Sequence, residues 1–519
     1  YENMNNIRVS TNGGLVTENW FDLNASRYTP SSTLQRMELL KTGYMGTLSL
    51  GWDNYLFLEL TGRQERSSTL KDQSFFYPSA NLSFLFTQAF HMPSWWNYGK
   101  LRLSYGIVGN APETYTANIV YEQGSDNGFT WNTIPSSWGN ADIHPEKKYE
   151  YEIGLESKFL NNRLGIDISY YNNRVKDQIL STPQPSTSGV KNVLMNVGEV
   201  ANRGWDISIS ATPILTRDFR WDLTANYGVY KNKVVKLADG VPYLEILNSG
   251  GSGIKIQAVE GQPMGDIYAQ VPQVNENGEY LVSDKGLYLN QTELQKVGNI
   301  NPAGVGGLFN SFSYKNVFLD FSIDFRIGGD VINEMNQYAT AVGLTPESLK
   351  YRDTEHGGLS YYYPGDNNSS GIPVQVDPST GAGPNGEIIY HDGIILPGVV
   401  ASTGERNTRI IPAGYYYNTT YNWGTEAEQL TYRHSVFDNS YVKLRELTIG
   451  YQFPEKMISK LGLGRLSVSV FGRNLFYFYK ALKNYDAESS VGTSWANQAT
   501  VGSSTTATRS FGVSLRASF

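Results

Sequence analysis

Short segments of this chain alternate apolar and polar residues with a period of two, again and again, while no run approaches the roughly 18 consecutive apolar residues that a membrane-crossing helix requires. A period of two places successive side chains on opposite faces, so these segments read as β-strands with one greasy and one polar face. From Gly46, Leu48, Leu50 and Trp52 share a face; after Asp53 and Asn54 the pattern resumes with Leu56, Leu58 and Leu60. Two turn-prone residues between two such runs predict a hairpin. The unit recurs with Ile153, Leu155 and Phe159, a turn at Asn161 and Asn162, then Leu164, Ile166, Ile168 and Tyr170. It recurs at Trp205, Ile207 and Ile209, a turn near Arg217 and Asp218, then Trp221, Leu223, Ala225, Tyr227 and Val229. A fourth copy runs through Phe312 and Tyr314, a turn at Lys315 and Asn316, then Leu319, Phe321, Ile323, Phe325 and Ile327.

Between the hairpins lie long polar segments, approximately 109–147, 173–202, 232–305, 328–440 and 477–507, rich in Gly, Asn, Ser, Tyr and Pro. Short connections therefore alternate with long ones, as in bacterial outer-membrane barrels, where short turns face the periplasm and long loops face outside. Charge follows the same logic, because Lys or Arg on the lipid face at mid-depth costs about 2–4 kcal/mol. Asp320, Asp324 and Arg326 interleave with the apolar series from Leu319 to Ile327, and Gly512, Ser514, Arg516 and Ser518 interleave with Phe511, Val513, Leu515, Ala517 and Phe519. A soluble antiparallel sheet with one wet face separates charge in the same way, but has no reason to gather its long loops at one end.

Counting strands from Tyr44 to the end gives roughly thirteen, and a rising strand near Val16–Ser26 brings the total to about fourteen. The fold class expected is all-β: a transmembrane antiparallel β-barrel with long extracellular loops. Fourteen strands could close a modest barrel, whereas large transporters with a plugged lumen use about 22. The abrupt opening at Tyr1 favours the larger architecture, with residues 1–519 as its C-terminal portion and any leader removed or upstream.

Composition narrows the partners. Aromatic residues make up 13% of the chain while hydrophobic residues reach only 40%, a chain rich in rings without being oily. A net charge of −7 with no basic run argues against nucleic acid, and the absence of Cys removes disulfides and thiolate chemistry.

Several motifs, taken in order, carry a resemblance. Leu101, Arg102, Leu103, Ser104, Tyr105 and Gly106 precede Gly109 and Asn110; Pro145 and Glu146 precede Tyr151, Glu152, Ile153, Gly154, Leu155 and Glu156. The Phe159–Leu164 hairpin follows, then Asn196, Val197, Gly198 and Glu199 with Asn202, Arg203 and Gly204, and then Gly261–Gly265. Asn301 and Pro302, Gly306–Leu308, Gly328–Asp330, Tyr441–Tyr451 and Gly472–Phe476 complete the series. From about residue 44 onward the chain resembles the SusC-like (SusC/RagA) family of TonB-dependent outer-membrane transporters. The resemblance implies a barrel of about 22 strands, an N-terminal plug, a TonB-contact segment, and a SusD-like surface lipoprotein that closes over the barrel as a lid. It also implies import of oligosaccharides or oligopeptides across the outer membrane of a Gram-negative bacterium, energised by the TonB complex. The plug, the TonB-contact segment and the first strands have no counterpart in these residues, and are expected upstream in the same polypeptide.

Nothing in the sequence asks for catalysis or a cofactor. The five His residues, at 91, 144, 356, 391 and 434, form no short-spaced ligand pair. Asp366, Asn367 and Asn368 lack the alternate spacing and closing Glu of a calcium loop. Gly250, Gly251 and Gly253 lack the Lys and Ser/Thr of a phosphate loop, and no G-x-S-x-G motif occurs. Candidate contact residues are the loop aromatics Trp131, Trp138, Tyr361, Tyr362, Tyr363, Tyr415, Tyr416, Tyr417 and Trp423, since Tyr and Trp offer rigid amphipathic surfaces to sugars, peptides or a protein lid. Packing of the loops upon each other is the competing reading of the same rings. Trp95 and Trp96 fall in a predicted periplasmic turn and suit the membrane-interface belt. Phe519, aromatic and last, resembles the C-terminal signal of barrel assembly; its alternative is an ordinary lipid-facing ring. Two other classes remain open on the sequence: a self-contained glycan-binding barrel or adhesin without transport, and a soluble multi-sheet carbohydrate-binding protein or hydrolase.

Overall fold

The structure, a computed structural model, describes the chain except residues 72, 73, 127, 128, 185, 250–252, 366–370, 423–430, 491–493, 503–505 and 519, and only the backbone at 125, 126, 183, 186 and 461. Thirteen strands make one sheet in which every strand neighbours its successor in sequence: Lys41–Trp52, Leu56–Ser67, Ser74–Phe84, Trp96–Asn110, Glu146–Phe159, Leu164–Lys176, Glu199–Leu215, Phe219–Lys236, Pro302–Tyr314, Val317–Gly328, Tyr441–Gln452, Arg465–Lys480 and Ser510–Ser518. The chain divides into two compact units, one made of 1–157, 169–203 and 232–242, the other of 158–168, 204–231 and 243–519. No described helix is long and apolar enough to cross a membrane.

The tight turns are set by residues that tolerate left-handed backbone. Asp53 and Asn54 sit at φ 49° and 58°, Asn161 and Asn162 at 57° and 62°, and Lys315 at 52°. Asp and Asn bear this conformation at little cost because their short polar side chains bond locally. Tight turns pin the register, and a slip of one residue would turn every side chain to the other face. In the first unit Leu50, Leu58, Leu82 and Leu103 therefore form one cross-strand row, and Ser49, Glu59, Asn81 and Ser104 form its neighbour on the opposite face. In the second unit the row Trp221, Phe312, Leu319, Ile449, Val470 and Val513 crosses six strands. Trp221 stacks on Phe312 with centroids 5.5 Å apart. The matching polar row is Asp222, Ser311, Asp320 and Thr448, with Ser311 Oγ donating to Asp320 at 2.6 Å.

The strand expected near Val16–Ser26 is not there. Strands run on either side of it, Glu2–Leu15 and Ser26–Leu39, paired antiparallel in a hairpin of their own. Asn19 at φ 59° and a short 3-10 turn at Leu23–Ala25, where Asp22 accepts the N–H of Asn24, make residues 16–25 the connection. The second strand of that hairpin leads directly into Lys41–Trp52.

The long segments are also more ordered than their polarity suggested. In the second unit a four-stranded sheet, Tyr243–Ser249, Ile254–Val259, Asp266–Ala269 and Gln295–Asn299, buries Ile254, Ile256 and Ile267 completely. Ile332, Tyr432, Val436, Ala496 and Ala499 complete that core, so three successive long segments share one apolar centre. Each fully buried branched side chain contributes about 1.5–3 kcal/mol. The buried Asp266 beside it takes Lys296 at 2.7 Å and Asn299 Nδ2 at 2.7 Å.

Candidate functional site

Segment 329–440 builds a small antiparallel sheet in the order Val374–Gln375, Leu359–Tyr362, Tyr390–Ile394, Ile411–Pro412. Its centre is aromatic. Tyr361 is 1% exposed, stacks on Tyr390 at 5.5 Å, meets Tyr363 edge-on at 5.5 Å, and donates its hydroxyl to Asp392 Oδ1 at 3.0 Å. Burial, then the Asp392 charge, pushes this phenol well above its ordinary range. Tyr363 is buried too, and both rings pack with Ile410. Tyr362, between them in sequence, is half-buried.

Pro412 leads into the helix Ala413–Tyr421, where a missing N–H costs nothing. Tyr415 and Tyr416 pack on Leu287, Ile394, Leu396 and Ile411. Tyr417 is buried and donates to the Glu347 carbonyl at 2.8 Å, and burial raises it to about 12. Tyr416 is likewise raised by burial, and Tyr421 lies flat on the His434 ring at 4.3 Å. Burial holds that imidazole down at about 4, neutral at ordinary pH. Glu387, 3% exposed in its residue, accepts the N–H groups of Asn385 at 2.8 Å and Gly365 at 3.2 Å, and the Asn385 amide at 3.1 Å. The backbone N–H of Asn385, above all, draws its carboxyl down to about 2.

The sheet and the helix border a cavity of about 420 Å³ to which both tyrosine groups contribute a ring, Tyr363 and Tyr415. Lys285 and Arg409 line it with Pro373 and Pro412, and none of its described lining residues is acidic. Neither cation stood out in the sequence. Lys285 is a single basic residue in a polar segment and Arg409 follows Arg406 in another, and only folding brings residues 285 and 409 to one cavity.

In the first unit, Trp131 lies on the hairpin Glu122–Asp126/Phe129–Thr133, its ring against Gly124 and 46% exposed. Trp138 sits in the short strand Ser137–Trp138, paired with Val193, with Tyr121 edge-on at 5.9 Å. Trp95 is exposed and stacks on Trp96 at 6.0 Å, where the strand Trp96–Asn110 begins. Trp423, Phe519 and the 366–368 run lie outside the described residues, as do Gly250 and Gly251.

The histidines are taken up singly. His356 bonds Asp353 at 2.7 Å, and His391 Nδ1 lies 2.8 Å from Ser360 Oγ, but Ser360 is buried and presents no nucleophile to solvent. Among the described residues no three His, Asp or Glu side chains are grouped to hold a metal.

Residues 5–259 match the family described as TonB dependent receptor-like, beta-barrel. A TonB-dependent receptor of Formosa agariphila is 24% identical over 494 residues, covering 86% of this chain and 42% of its own length. The TonB-dependent receptor SusC of Bacteroides thetaiotaomicron is 30% identical over 247 residues, covering 44% of this chain and 24% of its own. Among solved structures, the RagAB peptide transporter superposes with a TM-score of 0.63 at 18% identity, over 89% of this chain and 47% of that one. The chain thus spans less than half the length of these relatives. The family is one of transporters and receptors rather than enzymes, and its barrels lie in the outer membrane of Gram-negative bacteria. With a meander of strands carrying apolar cross-strand rows, and these relatives, residues 5–259 carry a TonB-dependent receptor-like β-barrel domain and the chain is similar to SusC and other TonB-dependent receptors.

Proposed function

We propose that these residues form the wall and outer loops of an active importer of oligosaccharides, working with a SusD-like surface lipoprotein and energised through TonB. The plug and the TonB-contact segment, on this reading, belong to the part of the protein outside residues 1–519. The observation that carries the reading is the loop layer: long segments with a core of their own, holding aromatic rings beside a cavity instead of lying loose over the strands. Such preorganised loops suit capture of a ligand, since ordering costs are met before binding. Trp131, Trp138, Tyr362, Tyr363, Tyr415 and Trp423 are proposed to touch substrate or lid, while Tyr361, Tyr416 and Tyr417 brace the loop layer of the second unit. Phe519 is proposed as the assembly signal. Oligopeptides are the second substrate reading, favoured by the peptide transporter among the structural neighbours.

The test is uptake. Cells carrying the intact gene should accumulate a fluorescent oligosaccharide, and deletion of the gene or of TonB should abolish accumulation while leaving surface binding measurable. Uptake that survives loss of TonB would overturn the importer reading in favour of a binding barrel. A surface lipoprotein should co-purify with the mature protein, whose mass should exceed that of 519 residues.

A further inference from the structure

We infer that the cavity between the aromatic sheet and the Ala413–Tyr421 helix is a subsite for an acidic sugar unit, a uronate or sulfated residue of the incoming oligosaccharide. This rests on the import reading and narrows its substrate class. At about 420 Å³ the cavity falls in the range of roughly 300–1,000 Å³ typical of small-ligand sites. Two cations, Lys285 and Arg409, line it, and none of its described lining residues is acidic, in a chain whose net charge is −7. Cations lining a cavity within an acidic protein select for anions locally, and a guanidinium and an ammonium both suit a carboxylate or sulfate.

The rest of the lining points to a sugar ring carrying that anion. Tyr363 and Tyr415 offer ring surface, and Pro373 and Pro412 offer flat aliphatic surface, which complement the C–H face of a pyranose. An extended acidic peptide fits less well. Peptides are commonly read by adding a strand to a free sheet edge, through main-chain donors and acceptors. Here the small sheet has two edge strands, each only two residues long: Pro412 in Ile411–Pro412 has no N–H to give, and Val374–Gln375 follows Pro373, which has none either. The wall is also rigid. Tyr363 is held edge-on by Tyr361, itself fixed by Asp392, and Arg409 follows a backbone turn in which its N–H bonds Asn407 Oδ1 at 3.0 Å.

The experiment uses the full-length mature protein in detergent and isothermal titration with three probes: tetragalacturonate, its carboxyl-reduced neutral counterpart, and tetraglutamate. Tetragalacturonate should bind most tightly, weaken as salt rises, and lose about tenfold or more in affinity with Lys285→Gln and again with Arg409→Gln, since a hydrogen bond to a charged group contributes about 1.5–3 kcal/mol. The charge-keeping pair Lys285→Arg and Arg409→Lys should retain most of the affinity. Heat-modifiable migration on gels checks that each variant is folded; should the Gln variants fail it, the wild-type preference for the acidic over the neutral sugar and its salt dependence decide. Equal affinity for the neutral sugar, absence of tetragalacturonate binding, or unchanged affinity in folded Gln variants overturns the subsite. Tighter binding of tetraglutamate replaces the sugar by an acidic peptide. TonB-dependent uptake of neutral oligomers alone leaves import standing and removes the acidic subsite, whereas acid-selective binding without any TonB-dependent uptake keeps the subsite and removes import.

Discussion

The strands of the second unit and the loop segments between them put the same kinds of residue to opposite uses. In the strand Ser510–Ser518, Phe511, Val513 and Leu515 are 74%, 71% and 70% exposed. In the loops, Ile254, Ile256 and Ile267 are fully buried beside Asp266 and Lys296, which pair with each other. A protein dissolved in water would bury a continuous row such as Ile449, Val470 and Val513 against a second layer. Here the row has no such layer, which is what a lipid solvent allows, while the loops meet water and fold inward like a small soluble domain. One alternating pattern therefore means two things, and the solvent decides which.

The largest effect that could break this contrast comes from placing a charge in the exposed row. Ile323 pairs with Leu308 and Leu444, whereas Ser322 pairs with Phe309 and Glu446 on the opposite face. Ile323→Arg should cost about 2–4 kcal/mol at mid-depth and sharply cut the yield of heat-resistant barrel in outer membranes. Ser322→Arg, next to Glu446, should leave the yield close to wild type. Equal yields would mean that the lipid face has been assigned to the wrong set of side chains.

A smaller effect is expected inside the loops. Tyr361→Phe removes the donor that Asp392 accepts while keeping the ring between Tyr390 and Tyr363. Losing a hydrogen bond to a carboxylate should cost about 1.5–3 kcal/mol. Hydrogen exchange should quicken across Leu359–Tyr362 and Tyr390–Ile394 while the barrel keeps its heat resistance. Equal loosening of the wall strands would show that loop core and wall unfold as one, against the separation drawn above.

The two regions also differed in how far the sequence revealed them. Wall strands were readable because turn residues such as Asp53 and Asn54 punctuate a strict alternation, and register then follows. The hairpin Glu2–Leu15/Ser26–Leu39 was missed because its strands are dominated by Asn, Ser, Thr and Arg, while the connection between them holds Val16, Trp20 and Phe21. The loop sheet was hidden by averaging: Ile254, Ile256 and Ala258 alternate cleanly, but within a segment whose overall polarity reads as coil. For the site, the tyrosine clusters were visible, yet their burial was not. Tyr361 depends on Tyr390 and Asp392, some thirty positions away, and Tyr417 on the carbonyl of Glu347. Lys285 and Arg409 carried no local signal at all, since what sets them apart is the cavity they share.

The smallest effect tests whether the loop layer answers to water on its own. Glu387 is tied to the backbone N–H groups of Asn385 and Gly365, and its carboxyl titrates at about 2 when folded, against about 4.3 for an ordinary Glu. A carboxyl whose pKa is depressed by folding stabilises the fold fully above its unfolded value and loses that contribution as pH falls through the folded one. Protection of the backbone near Gly365 and Asn385 should therefore be constant above about pH 5 and decline between about pH 4.3 and pH 2. Glu387→Gln cannot ionise, so its protection at neutral pH should be lower than wild type and flat across that window. The wall has carboxylates of its own, Asp222 and Asp320 on the face opposite the apolar row, so its response to acid should be the same in wild type and in Glu387→Gln. A wall whose response to acid changes with Glu387→Gln would tie the two regions together, and the lipid-facing and water-facing cores would then have to be treated as one cooperative structure.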